Sequence, residues 1–138
     1  MVAIDERISG CEQEFEEVRK IIVRGSDEHL DFLIAVRSAL DALTAKLDIV
    51  IGGLIKDVNS LSDEDVVKSM PGLFDLYSTS ISLVATLKRS SVSKDLKSHC
   101  LNYFIQVDNL REFIYDIERL RLSDDEDMNQ IFSDINAL

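Results

Sequence analysis

The chain has 138 residues, of which 46% are hydrophobic, with one proline, five glycines and no tryptophan. That length fits one domain able to bury about two-thirds of its unfolded surface, and the composition favours helices with few obligatory turns. A formal net charge of −11 argues against sequence-independent binding to nucleic acid, where lysines and arginines must neutralise phosphates, and against anionic membrane surfaces.

The acids gather at the two ends. Residues 1–28 hold eight acids against four bases, and residues 123–138 hold five acids and no base. Solubility explains such ends simply, and a basic partner explains them as well.

The spacing predicts a first helix over residues 4–23. Ile4, Ile8, Cys11, Phe15, Val18 and Ile22 recur by four and three, which is one helical stripe. Glu12, Glu14, Glu16 and Glu17 fill the solvated faces. Gly25 is the expected C-cap and Ser26 the expected N-cap of the next element.

A second helix is expected over residues 27–58. Leu33, Leu40, Leu47, Leu54 and Leu61 recur every seven residues, with Val36, Leu43 and Val50 between them. This is a heptad a/d seam, broken once at Asp57. Arg37, Thr44, Ile51 and Val58 at the e positions, with Ala39, Lys46, Gly53 and Ser60 at g, suit a seam widened to meet two neighbours, as in a bundle. Gly52-Gly53 is unfavourable inside a helix and points to a close backbone approach there, or else to a bend. The segment is long enough to span a bilayer, but Asp31, Arg37, Asp41, Lys46, Asp48, Lys56 and Asp57 exclude that.

Ser62-Asp63-Glu64-Asp65 reads as the capped, acidic start of a third helix. Pro71-Gly72 soon after predicts a kink or a separate short turn, with the main helix resuming at Leu73 and reaching Lys88. Its stripe is Leu73, Leu76, Tyr77, Ile81, Val84 and Leu87. Ser90-Ser91-Val92-Ser93 is the next break, with Ser93 as cap. A fourth helix follows over residues 94–122 through Leu96, Cys100, Tyr103, Val107, Leu110, Ile114, Ile117 and Leu120. Ser123-Asp124-Asp125-Glu126 has the capping-box pattern and opens a short acidic fifth helix.

Connections of about three to five residues between long helices predict antiparallel neighbours. The expected fold is therefore all-α: an up-down-up-down four-helix bundle over residues 1–122 with heptad-like packing. Residues 123–138 form its amphipathic C-terminal helix, in the same domain or as a docking tail.

Residue chemistry argues against an enzyme. His29 stands among Asp27, Glu28 and Asp31 at a helix start, where acids belong for capping. His99 and Cys100 are adjacent, so their side chains diverge by about 100° on a helix and make a poor couple. Bundle di-metal sites need Glu-x-x-His, which does not occur, and Asp116 and Glu118 lack the histidine. Gly52-Gly53 has neither the strand before it nor the Lys-Ser/Thr after it of a phosphate loop. Cys11 and Cys100 lie on apolar stripes and read as free, buried thiols of a reduced, cytoplasmic protein. No catalytic residue, metal or cofactor is expected.

Two surfaces stand out. Along the second helix, Ala35, Ser38, Ala42, Ala45 and Gly52 make a small-residue face, either solvated or packed on another helix, including one from a second copy in a homodimer. In the tail, Met128, Ile131, Phe132 and Ile135 share one side and Asp124, Asp125, Glu126 and Asp127 precede them, so the segment either caps the bundle or docks in a partner's groove. The function expected is a non-enzymatic protein–protein interaction module, an adaptor or assembly subunit whose partner is another protein. The alternative is an acidic inhibitor of a basic target: an immunity protein, an antitoxin or a nucleic-acid mimic.

Overall fold

A computed structural model describes residues 4–25 and 27–121. Of these, 91% are helical and none is in a strand, so the protein is all-α. The elements are α1 (Ile4–Ser9), α2 (Glu12–Arg24), α3 (His29–Asp57), a single 3₁₀ turn (Val58–Ser60), α4 (Asp63–Arg89), α5 (Val92–Asp95) and α6 (Lys97–Arg121). No helix among the described residues is long and apolar enough to cross a membrane. Ser26 and residues 122–138, with the expected cap and fifth helix, lie outside the described residues.

The heptad seam of α3 is the centre of the core. Val36, Leu40, Leu43, Leu47, Val50 and Leu54 are all buried, while Leu33 and Leu61 at its ends are half-buried. Around them close the stripes of the other helices, including Phe15, Val18, Leu73, Leu83, Tyr103 and Leu110.

The first expected helix is two helices. Gly10 breaks it: the Gly10 N–H donates to Glu6 O and the Cys11 N–H to Ile8 O, three residues back, so the backbone tightens by one turn before α2 begins. The stripe survives the break, because Ile4, Ile8, Cys11, Phe15 and Val18 remain buried. Gly25 ends α2 at φ +64°, a conformation that favours glycine, and its N–H donates to Ile21 O.

Pro71 does not interrupt α4. The helix runs unbroken from Asp63 to Arg89 with Pro71 inside it and its ring exposed. An interior proline removes one hydrogen bond and disfavours the helix by about 3 kcal/mol. Buried Val66 and Met70 before it, and Leu73, Leu76 and Tyr77 after it, hold both halves on the core. Gly72 is a point of close approach and not a break. A Cβ there would lie 2.6 Å from Asp5 Oδ1 and 3.6 Å from Ile8 Cδ1, so its absence lets α1 sit against α4. At the start of α4 the Ser62 side chain accepts from the Asp65 N–H at 3.1 Å, the cap expected from sequence.

Ser93 is not the cap of the fourth long helix but lies inside α5. Ser90 Oγ accepts from the Val92 N–H, and burial of Val92 draws this turn onto the core. A turn at Leu96 then leads into α6.

Pairwise contacts define the packing. α3 lies against α2 and α6, α4 against α6 and α1, and α2 touches α4. Arg7 meets Asp57 while Gly10 lies beside Lys46, so α1 and α3 run in opposite directions. Between α3 and α6, His99 Nδ1 lies 2.8 Å from Asp41 Oδ1, and Gln106 Nε2 donates to Asp48 Oδ1 at 3.3 Å. Both pairs are 58 positions apart, and a constant offset means parallel helices. Lys88 covers the Phe104 ring while Tyr77 faces Arg111, so α4 and α6 are antiparallel. Consecutive α3 and α4 are not packed along their lengths. The 3₁₀ turn Val58–Ser60, with Leu61 and Ser62, makes the connection between them.

Candidate functional site

Polar chemistry inside the protein is spent on structure. Ser69 and Ser80, the buried polar residues among those described, donate to the carbonyls of Asp65 and Leu76 one helical turn back. The Tyr103 hydroxyl, fully buried, donates to Ser80 O at 2.8 Å. Burial pushes its ionisation well above the ordinary tyrosine range. Cys11 and Cys100 are free and buried. Burial, with Glu14 nearby, pushes the Cys11 thiol up to about 11, and burial raises Cys100 too, so neither holds a thiolate at neutral pH. No group of three or more His, Cys, Asp or Glu among the described residues could hold a metal ion.

The histidines do structural work as well. His29 lies 3.2 Å from Asp95, joining the start of α3 to α5, and His99 reaches Asp41 as described. His29 itself stays largely exposed at the start of α3.

The outer surface of α3 and α6 is different. Among the described residues seven large apolar ones are exposed, and six of them lie on these two helices: Leu30, Ile34, Ile49 and Ile55 on α3, Leu101 and Ile105 on α6. Four members of the small-residue face, Ser38, Ala42, Ala45 and Gly52, are exposed on α3, whereas Ala35 is half-buried against the core. Steps of three and four join Ala45 to Ile49, Gly52 and Ile55, and Leu101 to Ile105, Asn109 and Glu112, so each helix carries a continuous strip.

Between the C-terminal halves of α3 and α6 lies a groove of about 380 Å³. Ile51, Ile55, Val58, Phe113 and Ile117 supply its apolar walls, and Asp48, Glu112 and Asp116 its rim, with no lysine, arginine or histidine among the lining residues. Gln106 also lines it; its Oε1 is buried without a hydrogen-bond partner. Gly52 faces open space in it: nothing lies within 4 Å of where a Cβ would be.

Gly53, one residue on, is filled. A Cβ there would sit 3.0 Å from Arg7 Nη1, and Arg7 crosses this gap to reach Asp57 Oδ2 at 2.7 Å. The close approach expected at the glycine pair is thus made at Gly53 alone, by a side chain. Gly52→Ala should stabilise the protein by about 0.5–1 kcal/mol, the helix-propensity gain. Gly53→Ala should gain less, because the guanidinium must move. Denaturant midpoints of the two variants measured side by side check this.

The sequence strips missed Leu101, Ile105, Ile49 and Ile55. A signal existed, since all four are large aliphatic residues standing off the buried stripe of their helix. Met128, Ile131, Phe132 and Ile135, with Asp124, Asp125, Glu126 and Asp127, lie outside the described residues. No protein family, curated protein or solved structure matches the chain.

Proposed function

We propose that this chain is a non-enzymatic protein–protein interaction module, an adaptor or assembly subunit, whose docking surface is the outer face of α3 and α6. In this reading its helices form an up-down-up-down four-helix bundle in the ring order α1/α2, α3, α6, α4. What supports that arrangement is that directions alternate in chain order: α3 runs opposite to α1, α4 opposite to α6, and α6 parallel to its neighbour α3. The observation that carries the functional reading is the concentration of exposed aliphatic side chains on two adjacent helices. Scattered apolar residues are normal on a soluble protein, whereas a rimmed, continuous strip marks an interaction site. The acidic C-terminal segment is a second contact element, and a homodimer through the same face is the competing assembly.

A photo-reactive side chain at Ile105 tests the reading in the native cell. It should crosslink a partner that the same group at Glu17, exposed on α2, does not. Equal capture at both positions, or none at Ile105, would remove the α3–α6 face from the proposal.

The carboxylate rim and the net charge of −11 favour a second reading, an acidic inhibitor of a basic target. The two differ in salt response. An inhibitor's affinity should collapse as ionic strength rises, while an aliphatic interface should hold.

A further inference from the structure

We infer that the groove between the C-terminal halves of α3 and α6 receives an amphipathic, lysine- or arginine-flanked helix from a partner protein. This rests on the interaction-module reading and names the partner's chemistry. The groove runs between two parallel helices, has apolar walls, and opens over Gly52, so a third helix can press its aliphatic ridge against bare backbone. Its volume of about 380 Å³ accommodates a few aliphatic side chains.

Charge selects the occupant. The rim offers Asp48, Glu112 and Asp116, and the lining residues include no cation. Asp116 is engaged by Arg119 at 2.8 Å and Asp48 by Gln106 at 3.3 Å. Both are exposed surface contacts of little strength, readily exchanged for a partner's cation. The buried Gln106 Oε1 lacks a donor. A second copy would bring its own carboxylates to this rim, and so would the C-terminal segment, whose five acids have no compensating base. A cationic helix is the occupant these charges attract.

The test uses the full chain, isotope-labelled for amide NMR, and two synthetic probe peptides of about five helical turns. Both peptides carry leucines at i, i+4 and i+7; one is flanked by lysines, the other by glutamates. The lysine peptide should bind saturably and shift the amides of Gly52, Ile55, Asn109 and Phe113. Gly52→Leu, which fills open space, should keep the melting temperature at or above that of the parent and weaken binding about tenfold or more. Glu112→Gln with Asp116→Asn should weaken it about threefold at low salt, a difference that disappears near about 0.5 M salt.

Equal binding of the glutamate peptide, shifts elsewhere on the surface, or no saturable binding would overturn the inference. So would a dimer that Gly52→Leu dissociates, which makes a second copy the occupant. Phe132→Ser shifting the same four amides in the free protein would assign the groove to the tail. Crosslinking at Ile105 without lysine-peptide binding leaves the module reading standing and removes only this partner class.

Discussion

Replacing Leu47 by alanine is expected to lower the unfolding free energy by about 2–5 kcal/mol. Leu47 is 1% exposed, midway along α3 between buried Leu43 and Val50. Its truncation removes transfer energy and leaves a cavity that helices on both sides of α3 cannot easily close. Ile49, two residues on and 72% exposed, is the internal control, and Ile49→Ala should stay within about 0.5 kcal/mol. Chemical denaturation of both variants decides the matter. A Leu47→Ala change under about 0.5 kcal/mol would mean that the seam is not the core of this protein.

Tyr103→Ala should be as damaging, at about 3–5 kcal/mol, because a fully buried aromatic ring is lost from the α4–α6 contact. Tyr103→Phe separates the ring from its hydroxyl. It keeps the ring and loses only the bond to Ser80 O, at about 0.5–1.5 kcal/mol. The carbonyl left behind sits within α4, where a helical N–H one turn on can still serve it. The same residue predicts a pH dependence. Its ionisation is raised in the folded state, first by burial, so the folded protein keeps a proton that the unfolded chain releases above about pH 10. Stability is therefore fully present below that pH and falls as pH rises beyond it. Tyr103→Phe should flatten this alkaline decline, and thermal melts across the range would detect it.

The elements that were legible in the sequence share one cause. The α3 seam, the Ser62 cap and the Gly25 stop each depend on residues within a few turns of one another, so spacing and side-chain type suffice. The misread features all involve distant residues. Pro71 looked like an interruption because the burial of Val66, Met70, Leu73 and Leu76 that carries α4 on through it comes from other helices. Gly72 looked like part of a break, although its role is set by Asp5 and Ile8, more than sixty positions away. Gly52 and Gly53 are alike in sequence; one faces a groove and the other an arginine.

The exposed face of α3 and α6 proposed for docking divides in the same way. Ser38, Ala42, Ala45 and Gly52 could be found from their helical spacing, since one helix suffices to align them. Leu101 and Ile105 join them only because α6 lies parallel to α3 in a register fixed by the pairs His99–Asp41 and Gln106–Asp48.

By itself, the order of residues determined the all-α class, the long seam of α3 and most helix limits, because the periodicity of burial and the chemistry of caps are local. Only the tertiary structure decided which helices became neighbours and which glycines stayed open. It also decided that Ile51 and Ile55 of α3 and Phe113 and Ile117 of α6, from distant parts of the chain, would line one groove with Asp48, Glu112 and Asp116. Those outcomes depend on which apolar faces bury one another, and that is a competition among whole helices that no short stretch of chain can settle.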